Sequence, residues 1–152
     1  MKEDRFLTII LAVIVLLVVI SLAVFFVKQD NATYLSEDAP ENIIHNYILA
    51  IEEGNYERAY AYLAEKDNKP DYETFEQHYL LYHNEVGYQI GAANISTNTA
   101  SVEITIMDGS SDFFFDRYNY VESARLLNQN GEWKIIQMPY SYWAWEWYQE
   151  IE

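Results

Sequence analysis

Three histidines and fourteen tyrosines are the side chains here whose chemistry goes beyond packing. On a helix, His78 lies beside Tyr79 and Tyr82. A histidine, a phenol and a nearby carboxylate in one cavity could move protons, which makes His78 the candidate catalytic residue. The plainer alternative is a partly buried, hydrogen-bonded packing residue. His78 and His83 are five apart and diverge around a helix, whereas a helical zinc pair needs a spacing of four. His45 has no local partner. Glu52 and Glu53 are adjacent and point apart. Asp108 to Asp112, "DGSSD", is too short for a calcium loop, which needs alternating oxygen ligands and a terminal glutamate. The five glycines are scattered, with no phosphate-cradling loop, and no serine stands in a nucleophile elbow. Neither a metal nor a cofactor is expected.

Aromatic residues offer the second kind of chemistry. Tyr47, Tyr60, Phe75, Tyr79 and Tyr82 fall on the apolar sides of the expected helices. They could line a pocket for a ring-shaped or apolar ligand, hydroxyls inward. They could equally fill a core, hydroxyls snorkelling to its rim.

Several elements must position these rings. Asp38, Pro40 and Glu41 have the spacing of a capped helix start, and Ile43, Ile44, Tyr47, Ile48 and Ile51 recur at helical spacing. Gly54 stops this helix. Asn55 starts a second, with Tyr56, Ala59, Tyr60 and Leu63 as its stripe. After the polar break 65–71, Asp71 caps a third helix carrying Phe75, His78, Tyr79 and Tyr82, which should end at Gly87. The period then changes to two. Residues 88–97 read as an edge strand weakened by Gly91, and Val102, Ile104 and Ile106 as one buried strand face. A turn at 108–112 leads into a long strand over 113–127, and Asn130-Gly131 turns the chain into "EWKIIQM". Three helices followed by antiparallel strands make an α+β domain, helices on one face of a curved sheet.

The tail "YSYWAWEWYQ", 140–149, holds three of the four tryptophans. As a strand it puts Trp143, Trp145 and Trp147 on one face; as a helix it lines up Trp143, Ala144, Trp147, Tyr148 and Ile151 and leaves Trp145 outside. Glu146, Glu150 and Glu152 argue against a membrane-surface foot. A structural role is expected, the tail covering apolar surface across the helices or the domain's mouth.

Residues 6–27 carry no charge. Twenty-two helical residues span about 33 Å, enough for a bilayer core of about 30 Å. Ser21 to Ala23 has the small residues a signal peptidase uses, yet the apolar run continues to Val27, which favours an uncleaved anchor. No cysteine follows, which rules out a lipid-anchored lipoprotein. Lys2 and Arg5 before the run against Lys28 after it place the N-terminus in the cytoplasm. The expected organisation is a stub at 1–5, a transmembrane helix at 6–27, a linker at 28–38 and an extracytoplasmic domain at 39–152. Of the 9 Lys+Arg and 24 Asp+Glu, two of each precede the run. The remainder, 7 against 22, is too acidic for nucleic acid or for lying flat on anionic lipid. With no cysteine, the domain must be held by its core alone.

Three stretches resemble a known family. "AIEEGNYERAYAYL" (50–63) is similar to the helix corner of the nuclear transport factor 2-like superfamily, "DYETFEQHY" (71–79) to the start of its third helix, and "LLNQNGEWKI" (126–135) to its closing hairpin. The resemblance implies a cone: a strongly curved sheet wrapped by helices, with a pocket at the open end. Membrane-anchored extracytoplasmic members, including those in front of cell-wall transpeptidases, are similar in layout. Isomerases and cyclases of the family need a placed carboxylate, and no carboxylate here matches that motif. The resemblance therefore implies a fold without a chemistry. The expected function is non-catalytic binding of a protein partner or an envelope ligand at the aromatic mouth or on the sheet. The alternatives are a small acid–base enzyme using His78 and the tyrosines, and homodimerisation through the outer sheet face.

Overall fold

The computed structural model describes residues 3–28, 33–82, 86–108 and 118–148, leaving aside the side chains of 3–7, 23–28, 108 and 118. The chain divides into two compact units, Met1–Ala32 and Thr33–Glu152. The first is a single helix, α1, Glu3–Lys28. Among the described residues no helix is long and apolar enough to cross a membrane. The side chains described in α1 are those of 8–22, a shorter stretch than the charge-free run 6–27.

The second unit is α+β. Its helices are α2 (Pro40–Glu52), α3 (Tyr56–Ala61) and α4 (Tyr72–Tyr82). They are followed by β1 (Gly87–Ile95), β2 (Thr99–Asp108), β3 (Tyr118–Gln129) and β4 (Glu132–Gln137). The strands form an antiparallel sheet in the order β1-β2-β3-β4. It is an open meander and not the strongly curled cone that was expected. Strong curl needs breaks in the long strands, and β2 pairs with β3 in unbroken register from Thr99↔Leu127 to Asp108↔Tyr118. Register shifts occur only at the flanking pairs, between Ile90 and Ala93 and between Arg125 and Leu126.

The helical spacing on α2 does what it predicts. Ile43, Ile44, Tyr47, Ile48 and Ile51 are all buried, together with Val102, Ile104, Ile106, Ala124, Leu126 and Ile135 from the sheet. Each fully buried aliphatic contributes about 1.5–3 kcal/mol, so this layer is the main source of stability. Gly54 ends α2 with φ at 69°, where other residues are strained, and Asn55 N–H reaches back to the Ala50 carbonyl at 2.7 Å.

Caps follow the sequence at two of three starts. Asn55 Oδ1 accepts from Arg58 N–H, and Asp71 Oδ1 from Thr74 N–H at 2.8 Å. Asp38 does not cap: Ala39 holds the N-cap with no side-chain bond, because Asp38 instead accepts from the Ser36 hydroxyl at 2.6 Å. Two boundaries also move. The six-residue α3 leaves Leu63 outside it, where Leu63 bridges Ile135 of β4 in parallel. Ala64 N–H bonds the Ile135 carbonyl and Ile135 N–H the Tyr62 carbonyl, so segment 62–64 covers the outer edge of β4 there. Gly87 opens β1 instead of closing α4. His83, the turn beyond Asp108 and residues 113–117 of the expected long strand lie outside the described residues.

Residues 33–37 are tied to the domain. Asn46, fully buried, accepts from Leu35 N–H at 2.7 Å and donates to the Leu35 carbonyl at 2.9 Å. Tyr62 donates to Glu37 at 2.8 Å, and the Arg58 guanidinium sits 3.3 Å from the Tyr34 ring centroid.

Candidate functional site

The five rings expected to line a pocket are split by the fold. Tyr47, Phe75 and Tyr79 are fully buried and packed together, with Phe75 edge-on to both tyrosines at 6.5 and 5.1 Å. The hydroxyls of Tyr47 and Tyr79 lie 2.6 Å apart and both reach the Tyr142 carbonyl, at 3.1 and 2.7 Å. Their bonding capacity is thus spent inside the domain. Burial pushes both phenols well above the ordinary value of 10.0, so they stay protonated. Tyr60 is half-buried, donates to the Pro70 carbonyl at 2.8 Å and carries the Lys69 ammonium 4.0 Å from its ring centroid. Tyr82 is not part of the buried set: as the last residue of α4, one turn beyond Tyr79, it stands 68% exposed.

His78 is boxed by rings, edge-on to Tyr79 at 5.1 Å and to Trp147 at 5.0 Å, and tilted against Tyr82 at 5.7 Å. Burial lowers its pKa from the ordinary value, against an opposing pull from Glu146. Among the described residues no carboxylate is hydrogen-bonded to it. It is neighboured as a packing residue is.

The tail resolves into neither form weighed from sequence. A 3₁₀ turn, Tyr140–Tyr142, is followed by extended Trp143 and then irregular turns. The side-chain sorting nevertheless follows the helical set as far as residue 148: Trp143, Ala144, Trp147 and Tyr148 are buried, Trp145 and Glu146 face out, and Ile151 lies outside the described residues. Trp147 stacks on Phe75 at 5.2 Å and Trp143 on Tyr148 at 5.6 Å. Tyr148 closes the path: its hydroxyl donates to the Ala64 carbonyl and its N–H to that of Asn68.

Where tail and sheet meet there is an open groove of about 590 Å³. Trp143, Trp145, Trp147 and Tyr148 form its tail side, with Tyr140 at the turn. Arg125, Ile136, Gln137 and Met138 come from the β3–β4 end, joined by Glu122 and by Lys66 from the loop after α3. None of the five predicted rings lines it. Several local irregularities converge here. Leu126 pairs with Ile135 but Arg125 with Gln137, so Ile136 is an extra residue and a bulge sits beneath the groove. Tyr148 holds a left-handed φ of 59°, uncommon for an aromatic residue. Trp147 is 5% exposed, and its buried indole N–H has no hydrogen-bond partner among the described residues. Glu122 accepts from Tyr140 N–H at 3.1 Å and ties the two sides together. Bulges and backbone outliers of this kind gather at binding sites, where they re-aim side chains.

Lys66, Arg125 and Trp145 escape a sequence reading of sites because they come from three separate segments. The one available signal is Trp145 itself, a large ring left on the outer side of the tail's helical pattern.

No family model matches the sequence, and no curated protein matches it. Among solved structures, the chain is similar to a SEC-C motif-containing protein from Rhodopseudomonas palustris. The two share 10% identity at a TM-score of 0.51, over 66% of this chain and 77% of that one. It is also similar to a nuclear transport factor 2-like protein of Campylobacter jejuni named as a transpeptidase, with 16% identity, a TM-score of 0.44 and coverage of 63% and 95%. A Streptomyces avermitilis protein of the nuclear transport factor 2-like family, named as a dehydratase, has 12% identity, a TM-score of 0.36 and coverage of 63% and 93%. The chain is structurally similar to nuclear transport factor 2-like proteins, and at these identities the likeness concerns fold alone.

Proposed function

We propose that this chain is a non-catalytic binding domain, held at a membrane by its N-terminal helix and facing the extracytoplasmic side, with its ligand seated in the groove under the tail. One observation carries the binding reading. Trp145 stands 68% exposed on the wall of a groove whose other tryptophans are buried. A large exposed ring beside buried rings and polar side chains is the kind of anchor that binding sites use. The anchor is supported by 22 uncharged residues at 6–27, by the helical backbone over Glu3–Lys28, and by the order of Lys2, Arg5 and Lys28. The cone-like, membrane-anchored members of the resembling family have the same order of anchor, linker and domain.

Catalysis is the weaker reading because the phenols of Tyr47 and Tyr79 are already spent on each other and on the Tyr142 carbonyl. The test uses the full chain in detergent micelles, passed over immobilised envelope polysaccharide and over immobilised envelope protein. Wild type should be retained by one of them, and Trp145→Ala should lose that retention at least about tenfold with a cooperative unfolding curve. Equal retention of the two would sink the groove as the site. Protease shaving of intact cells tests the topology: a domain left intact until the cells are lysed would place it on the wrong side.

A further inference from the structure

We infer that the groove's ligand is an acidic saccharide: a sugar ring lying on the Trp145 indole, with its carboxylate held by Lys66 and Arg125. This rests on the reading of the groove as a binding site and adds the chemistry of what fills it.

Charge makes the first argument. Only 7 Lys+Arg follow the anchor, against 22 Asp+Glu, yet two of the seven line this one groove. Among the described residues neither Lys66 nor Arg125 is ion-paired, although carboxylates are abundant. A domain this acidic repels anions everywhere except where local cations compensate, so the groove is where an anion can settle. The bulge at Ile136 supports the same assignment, since it displaces the register at Arg125, the residue that would grip the carboxylate.

Shape and polarity choose a sugar over other anions. A pyranose has an apolar C–H face and a hydroxyl rim. An exposed indole in a groove also lined by Gln137 offers a flat apolar surface with a hydrogen-bonding amide in the same lining. The buried N–H of Trp147, without a partner among the described residues, is a donor that a ligand oxygen could complete after a small shift of the ring. A volume of about 590 Å³ lies within the range of small-ligand sites. An acidic peptide is the competing occupant, and it would gain most by pairing along a free strand edge. At Ile135 the outer edge of β4 is already taken by Tyr62 and Ala64.

Calorimetric titration of the full chain in detergent micelles decides it, with three probes: digalacturonate, its neutral dimethyl ester and tetraglutamate. Digalacturonate should bind saturably and the ester about tenfold or more weaker, as expected for loss of a charged hydrogen bond. Lys66→Gln with Arg125→Gln should bring the acid down to the level of the ester without changing the ester. Trp145→Ala should remove both. Equal binding of acid and ester would overturn the anion assignment and leave the groove standing. Tetraglutamate binding as tightly as digalacturonate would overturn the saccharide, and so would absence of heat with either sugar. If Trp145→Ala bound digalacturonate normally, the groove itself would be wrong.

Discussion

The hydroxyls of Tyr47 and Tyr79, from α2 and α4, lie 2.6 Å apart and converge on the carbonyl of Tyr142 in the tail. Two phenolic protons serve three contacts. The shortest arrangement has Tyr79 donating to the carbonyl at 2.7 Å and Tyr47 donating to Tyr79. The 3.1 Å contact from Tyr47 to the carbonyl is then a reserve. This cluster locks helices and tail into one body. Tyr79→Phe should cost only about 1 kcal/mol, because Tyr47 can turn its proton to the carbonyl. Removing both hydroxyls orphans a buried carbonyl. The double variant should therefore exceed the sum of the singles by about 1 kcal/mol in denaturant unfolding. Strict additivity would show that the cluster does not act as a unit.

Alkaline unfolding should follow from the tyrosines. Burial pushes Tyr88 up to about 12, and burial with the Glu53 hydrogen bond does the same for Tyr34, from 10.0 in each case. Tyr47, Tyr79, Tyr142 and Tyr148 are raised too, burial again being the largest cause. A phenol with a raised folded pKa keeps its proton when the unfolded chain has lost it. Its contribution is therefore complete below 10 and is lost as pH rises through the folded value. Stability should be flat with respect to these groups up to pH 10 and fall between 10 and 12. Tyrosinate absorbance followed beside circular dichroism checks this. Full phenol ionisation without loss of the folded signal would contradict the buried cluster.

Loss of the tail should be global. Deleting residues 140–152 strips Tyr142, Trp143, Trp147 and Tyr148 from the core. Trp147→Ala alone should cost about 3–5 kcal/mol, and the deletion exceeds the roughly 5–15 kcal/mol a domain has in total. Trp145→Ala, on the exposed side, should cost far less than Trp147→Ala. A truncated chain that still shows a cooperative thermal transition would mean the tail is an accessory.

Much of this was legible from periodicity. Ile43 to Ile51 on α2, Val102 to Ile106 on β2 and the Asn130-Gly131 turn, with φ of 57° and 93°, declare themselves because each depends on a few neighbouring residues. Asp38 misled because two kinds of donor, the helix N–H groups and the Ser36 hydroxyl, compete for its carboxylate, and Ser36 wins. Tyr82 misled because α4 buries only Phe75 and Tyr79. In the tail, sequence left two sets of buried rings open, and irregular turns satisfied the helical one without forming a helix. The groove was out of reach. It joins Lys66, Arg125 and Trp145 across long separations and depends on one extra residue, Ile136, in a register that no local pattern encodes.

Asn46 provides a sharper test of how residues 33–37 are held. Its amide is used at both ends on Leu35, accepting the N–H at 2.7 Å and donating to the carbonyl at 2.9 Å. Asn46→Asp keeps the acceptor but turns the donor into an oxygen facing a carbonyl. At neutral pH this should destabilise the domain by about 1–3 kcal/mol relative to wild type. Protonation restores the donor, so the new carboxyl should have its pKa raised in the folded state. Its contribution is then complete below the unfolded value of about 3.9 and is lost as pH rises. The gap to wild type should therefore close on acidification and open towards neutrality. Denaturant midpoints of both proteins, measured side by side at each pH, read this directly. A gap that does not depend on pH would mean that the amide donor contributes nothing to holding Leu35.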